Sequence, residues 1–355
     1  MKTFGCRKTV DRIGILIGQL GTPTSPTKQA VKPYLKQFLS DPRVIEKNRL
    51  LWWIILNLFI LPSRPAKSAA LYARIWREDG SPLLKLTESL STTLQERFNA
   101  LGADVTVGFG MRYGEPSLED SLDRLIDEFD CKRILLFNMY PQYSATTSAS
   151  NYDAVFQHIL RRRFIPTLRV AEPYYRDQRY IQALAAVINE SVAGLATAPE
   201  RLVLSYHGIP DSYRQAGDPY CCMCTETTKM LKSLVDFDAN NIIHTYQSRF
   251  GKGPWLTPYT DETIKDLAQA GVKHIAVAAP GFTTDCLETL DELGNELKEQ
   301  FEELGGERLF LVPCLNDHPL WIDAIAAIME DEMSSWLASD RQTVDSECVI
   351  CPVRP

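Results

Sequence analysis

ILLFNMYPQYSATTSASNYDAVF, residues 134–156, and IAVAAPGFTTDCLETLDEL, residues 275–293, are two versions of one unit. Each opens with a short, nearly continuous apolar run, the pattern of a strand buried on both faces of a parallel sheet. Each then places a proline two residues before an aromatic (Pro141 and Tyr143; Pro280 and Phe282) and passes through polar residues into a helix. The next helical stretches also correspond, YIQALAAVI from Tyr180 and WIDAIAAIM from Trp321. Shared order, spacing and punctuation point to a duplication.

Outward from these stretches, similar runs recur at 12–18, 104–109, 132–138 and 167–171, then at 201–206, 241–245, 273–279 and 308–312. Strands alternating with helical stretches predict an α/β protein of two similar lobes, each a four-stranded parallel sheet flanked by helices. The expected division is a first lobe over 1–175, a second over 176–335 and a tail over 336–355, with a short linker near 174–179. Ligands of open α/β sheets bind beyond the carboxyl ends of the strands. That rule selects Gln19-Leu20-Gly21, Arg112-Tyr113, Pro141-Gln142-Tyr143, His207-Gly208 and Thr283-Thr284-Asp285. No GxGxxG or Walker A pattern follows the first strand, so a nucleotide site has no support.

The chain has 355 residues, 45% of them hydrophobic and 23% charged, the composition of a globular protein with a sizeable core. A net charge of -7 argues against a general nucleic-acid binder, which needs clustered cations. The opening MKTFGCRKTVDRIGILIG lacks the apolar length of a secretory signal, so a cytoplasmic protein is expected. In that compartment its nine cysteines read as free thiols or metal ligands. The greasy segment 50–61, LLWWIILNLFIL, falls short of the roughly 20 residues that span a bilayer. It reads either as a buried helix or as an apolar surface meeting a membrane or hydrophobic ligand; adjacent Trp52 and Trp53 favour the second.

His207 ends the run RLVLSY, where an imidazole can serve as base or metal ligand, or simply pack. Glu288, Glu292 and Glu296 recur every four residues and share one helix face, with Asp285 just before them and Asp291 alongside. Such a row is either a solvated face or an acidic path for protons and a divalent cation, and it carries no basic residue of its own.

LSYHGIPDSYRQAGDPY around His207, QSRFGKGPWLTPYTDETI from Gln247 and PGFTTDCLETLDEL from Pro280 together resemble the ferrochelatase family. GQLGTP from Gly18, GFGMRYGEP from Gly108 and YPQYSATT from Tyr140 match in the same order, so the likeness covers most of residues 12–330. It implies a chelatase-like fold of two Rossmann-like lobes, a lyase, and insertion of Fe²⁺ into protoporphyrin IX as the last step of haem biosynthesis. It implies His207 and Glu288 as catalytic and iron-binding residues on opposite sides of the porphyrin. Asp285, Glu292 and Glu296 would form the acidic path, and Leu20, Arg112, Tyr113 and Tyr143 would bind substrate. Leu20 stands where some members have methionine. The segment 50–61 matches the family's apolar lip, with peripheral contact to the inner membrane.

Some members carry a [2Fe–2S] cluster on four cysteines. The usual position after Tyr143-Ser144 is Ala145 here, so a candidate cluster would use Cys222, Cys224, Cys348 and Cys351; unliganded thiols are the other reading. Iron insertion explains the residue types: a flat free-base ring must be bent, lose two N–H protons and receive a partly desolvated cation. The alternatives are a non-catalytic tetrapyrrole or metal carrier, or a chelatase for coproporphyrin or another tetrapyrrole or metal. Oligomeric state is left open.

Overall fold

The structure, a computed structural model, describes residues 12–251 and 253–340. Its eight strands fall on the eight apolar runs. The first sheet contains β1 (Ile13–Gly21), β2 (Val105–Tyr113), β3 (Arg133–Asn138) and β4 (Thr167–Val170), all parallel, in the order β2-β1-β3-β4. The second contains β5 (Arg201–His207), β6 (Ile242–Gln247), β7 (His274–Ala278) and β8 (Arg308–Leu311), again parallel, in the order β6-β5-β7-β8. The same order twice is what a duplicated unit gives. In each sheet the chain reverses direction of winding between the two central strands, and the crevice opens beyond their carboxyl ends. β1 and β2 can run on to Tyr113 because Gly21 has φ +111° there; a Cβ on it would stand 1.9 Å from the Tyr113 carbonyl oxygen.

In chain order, α1 (Lys28–Ser40), α2 (Arg49–Ile55), α3 (Leu61–Ile75), α4 (Pro82–Ala100), α5 (Leu118–Asp123), α6 (Ser150–Ile159) and α7 (Gln178–Ala193) accompany the first sheet and the crossover. The second follows with α8 (Asp211–Gln215), α9 (Tyr220–Leu231), α10 (Thr260–Gln269), α11 (Leu297–Glu303) and α12 (Pro319–Asp340). α12 returns to the first sheet. It packs on α7 and α4, Arg133 of β3 donates to the Trp336 carbonyl, and the Arg169 guanidinium lies over the Trp336 ring. One apolar core therefore takes side chains from both sheets, among them Ile15, Leu135, Leu204, Trp321 and Met329.

The greasy segment is neither wholly buried nor wholly exposed. Asn48 caps α2 by accepting the Leu51 amide hydrogen, and a π-helical turn over Leu56–Ile60 joins α2 to α3. Trp52, Leu56 and Leu61 pack against Val31, Leu35 and Leu39 of α1, and the Trp52 indole donates to the Leu39 carbonyl. The other face leaves Leu50, Leu51, Trp53, Leu58 and Phe59 more than half exposed, at 58–72%. No helix among the described residues is long and apolar enough to cross a membrane.

Candidate active site

The strand ends of both lobes and the stretches after β3 and β7 carry the expected residues. His207 closes β5, pairs in register with Gln247 of β6 and is half-buried. Its Nδ1 lies 2.7 Å from the Gly208 carbonyl oxygen. A carbonyl can only accept, so in the neutral ring Nδ1 carries the hydrogen and Nε2 keeps its lone pair. The Phe282 ring stands 6.4 Å from the imidazole.

Beyond Phe282 the chain winds as a π-helix over Glu288–Glu296, a wider turn than the α-helix expected from the sequence. Residues four apart stay on one side, so Glu288 and Glu292 remain neighbours. Glu292 accepts from the Ser248 hydroxyl at 2.6 Å. Burial pushes its carboxyl above the usual range; the Ser248 bond and His207 oppose that, and Glu288 reinforces it. Glu292 thus lies within the electrostatic reach of both. Glu296 is exposed and is also raised, by partial burial and then by Asp291. Asp291 meets Arg74 of α3 at 2.9 Å, and Arg74 also reaches Glu299. The row that lacked a cation in sequence acquires one through the fold.

Asp285 stands apart from this row. It is buried, accepts from Thr289 Oγ1, the Cys314 amide and Asn316 Nδ2, and binds the loop after β8 to the start of the π-helix. On the first lobe, Leu20 is half-buried and its N–H donates to the Tyr140 hydroxyl at 3.1 Å. Tyr72 is buried and Tyr34 and Tyr140 are half-buried near Glu288; desolvation raises all three phenols, and Glu288 pushes each further up. Sequence reasoning did not single out these tyrosines, since α1 and α3 approach Glu288 only in the folded chain.

Arg112 and Tyr113 meet Asp41, at 2.7 and 2.8 Å, and Ser150. Arg112 is half-buried, whereas Tyr113 is buried, with its ring 5.2 Å from that of Phe38. Asp41, unremarked in the sequence, gathers them. Tyr143 is half-buried; its backbone N–H points at the Met223 sulfur, and its ring stands 6.3 Å from that of Tyr152.

The candidate cluster cysteines are not brought together as a pair. Cys222 and Cys224 are two apart on α9, which turns their thiols to different sides: Cys222 is exposed, while Cys224 is fully buried in the core. Burial raises the Cys224 thiol far above its ordinary range, away from the thiolate a metal needs. Cys348 and Cys351 lie outside the described residues. Among the described residues no three His, Cys, Asp or Glu side chains are already arranged to hold a metal ion.

A model of the ferrochelatase family matches residues 12–333. The ferrochelatase of Herminiimonas arsenicoxydans is 44% identical over 92% of this chain and 89% of its own length. That of Mesorhizobium japonicum is 45% identical over 92% of each chain. Among solved structures, SirB from Bacillus subtilis with Fe3+ superposes with a TM-score of 0.52 at 12% identity, covering 93% of this chain and 98% of SirB. A sirohydrochlorin chelatase SirB from Bacillus subtilis subspecies spizizenii, in complex with cobalt, gives 0.52 at 12% identity over 91% and 96%. At that identity the likeness speaks to the fold alone: two four-stranded parallel sheets flanked by helices.

Proposed function

This chain belongs to the ferrochelatase family, and from that membership we propose how its own residues insert ferrous iron into protoporphyrin IX. The reaction is a lyase-class metal insertion that ends haem synthesis: Fe²⁺ enters the ring and two pyrrole protons leave. The observation that carries the residue assignment is the linkage of His207 and Glu288 through Gln247, whose carbonyl holds the residue after the histidine and whose side chain holds the glutamate's backbone.

The macrocycle would sit between the lobes, with Leu20, Arg112 and Tyr143 from the first lobe and Phe282 from the second against it; all four are half-buried. Tyr113 supports Arg112 from beneath through their common partner Asp41. His207, with Nε2 free to accept, takes a pyrrole proton or holds the metal on one side, and Glu288 works on the other. Glu292, held by Ser248, and exposed Glu296 give a path to water for the second proton. Asp285 enters as a brace for this helix, because its oxygens are occupied by Thr289, Cys314 and Asn316.

A [2Fe–2S] cluster does not fit Cys222 and Cys224 as neighbours, since one thiol is exposed and the other packed in the core. No step here depends on one. The apolar face of 50–61 suits peripheral contact with a membrane surface, where Trp53, Leu58 and Phe59 could enter the lipid headgroup region.

Anaerobic protein given Fe²⁺ and protoporphyrin IX should quench the free-base fluorescence as protohaem forms. Binding of porphyrin without quenching would favour the carrier reading.

A further inference from the structure

Gln247, the last residue of β6, is buried directly beside His207. Its carbonyl oxygen accepts the Gly208 N–H at 2.8 Å. A Cβ at Gly208 would stand 2.8 Å from the same oxygen, so glycine permits this approach and a larger residue would open it. Its side chain turns the other way. Nε2 donates to the Glu288 carbonyl oxygen at 2.9 Å, and Oε1 accepts from the Ser205 hydroxyl at 2.9 Å. The Glu288 carbonyl needs a donor, which fixes the direction of the amide. Behind Ser205, the Thr260 hydroxyl lies 2.8 Å from that of Ser205 and 2.9 Å from that of Thr245, and its one hydrogen serves Ser205 when Ser205 donates to Gln247.

We propose that Gln247 is a positioning residue that sets the gap across which His207 and Glu288 act, with Ser205 holding its amide in place. The proposal deepens the chelatase reading and rests on it. Side chains on two different elements keep a fixed separation only if their backbones are tied, and Gln247 ties both backbones in a single residue. Misplacement by about 1 Å can cost a reaction about 100-fold even when binding survives.

The test is steady-state insertion of Fe²⁺ into protoporphyrin IX by the full chain carrying Gln247→Met, Gln247→Glu, Ser205→Ala, or Gln247→Met with Ser205→Ala. Methionine keeps the length and loses the amide; ionised glutamate can still accept from Ser205 but cannot donate to Glu288. Both should lower kcat about tenfold or more with porphyrin KM changed less than about twofold. Ser205→Ala should lower kcat less, and the double variant should be no worse than Gln247→Met alone, the signature of residues acting in one chain. Wild-type kcat in Gln247→Glu, or additive losses in the double variant, would overturn the proposal. If Gln247→Met does not fold, Ser205→Ala decides alone: unchanged kcat overturns, a lower kcat at constant KM supports. Wild-type protein that binds porphyrin without inserting iron would instead strike the functional reading.

Discussion

Two carboxylates near the site, one in each lobe, are treated in opposite ways. Asp41 in the first lobe receives the Arg43 amide, Arg112, Tyr113 and the Ser150 hydroxyl, at 2.6–2.8 Å. Burial alone would raise it, yet these donors outweigh burial and hold it below the usual carboxylate range. Glu292 in the second lobe has Ser248 and shares its surroundings with Glu288, and burial wins. A carboxylate whose oxygens are all engaged holds shape. One left short of donors beside a like charge is available to a proton or a cation. On the function proposed above, the first lobe would brace the site and the second would supply its reactive edge.

The largest expected effect falls on that edge. His207→Ala and Glu288→Ala should each lower iron insertion at least about 100-fold in the fluorescence assay, with unfolding temperatures close to wild type. Full activity in either variant removes that residue from the mechanism. Asp41→Ala should act on stability first, costing about 3 kcal/mol in denaturant unfolding because Arg112 loses its buried carboxylate partner. A loss of turnover without that loss of stability would move Asp41 to the reactive side of the comparison.

A pH series sharpens the contrast. The folded value of Asp41 is lowered, so its stabilisation is complete above the unfolded value near ~3.9 and disappears as pH falls through the folded value. Asp41→Asn should therefore flatten the acid limb of stability below about pH 4. Glu292 has the opposite sign: its raised value makes the ionised form unfavourable to the fold as pH climbs past ~4.3. Glu292→Gln should gain about 0.5 kcal/mol at neutral pH, a gain that fades in acid, while turnover falls. Should that variant lose stability at pH 7, the Ser248 bond outweighs the repulsion and the two carboxylates are more alike than they look.

Much of this was legible in the chain itself. Eight apolar runs became eight strands within a few residues, because a strand covered on both faces must be apolar throughout. The repeated Pro-x-aromatic turns marked the same place in each sheet, and His207 was readable as a strand-end residue. The acidic spacing showed Glu288 and Glu292 on one side, whether the turn is α or π. Only the folded chain decided what those residues touch. Arg74 reaches Asp291 from α3, Asp41 gathers Arg112 and Tyr113, and Asp285 is spent on the loop after β8. The same holds for Cys224, which the sequence left open between ligand and unliganded thiol and which packs in the core. Local patterning follows from each residue's neighbours in sequence, where the periods of helix and strand rule. Partners of a charge or thiol come from segments far apart in the chain, and their approach is set by how whole helices pack.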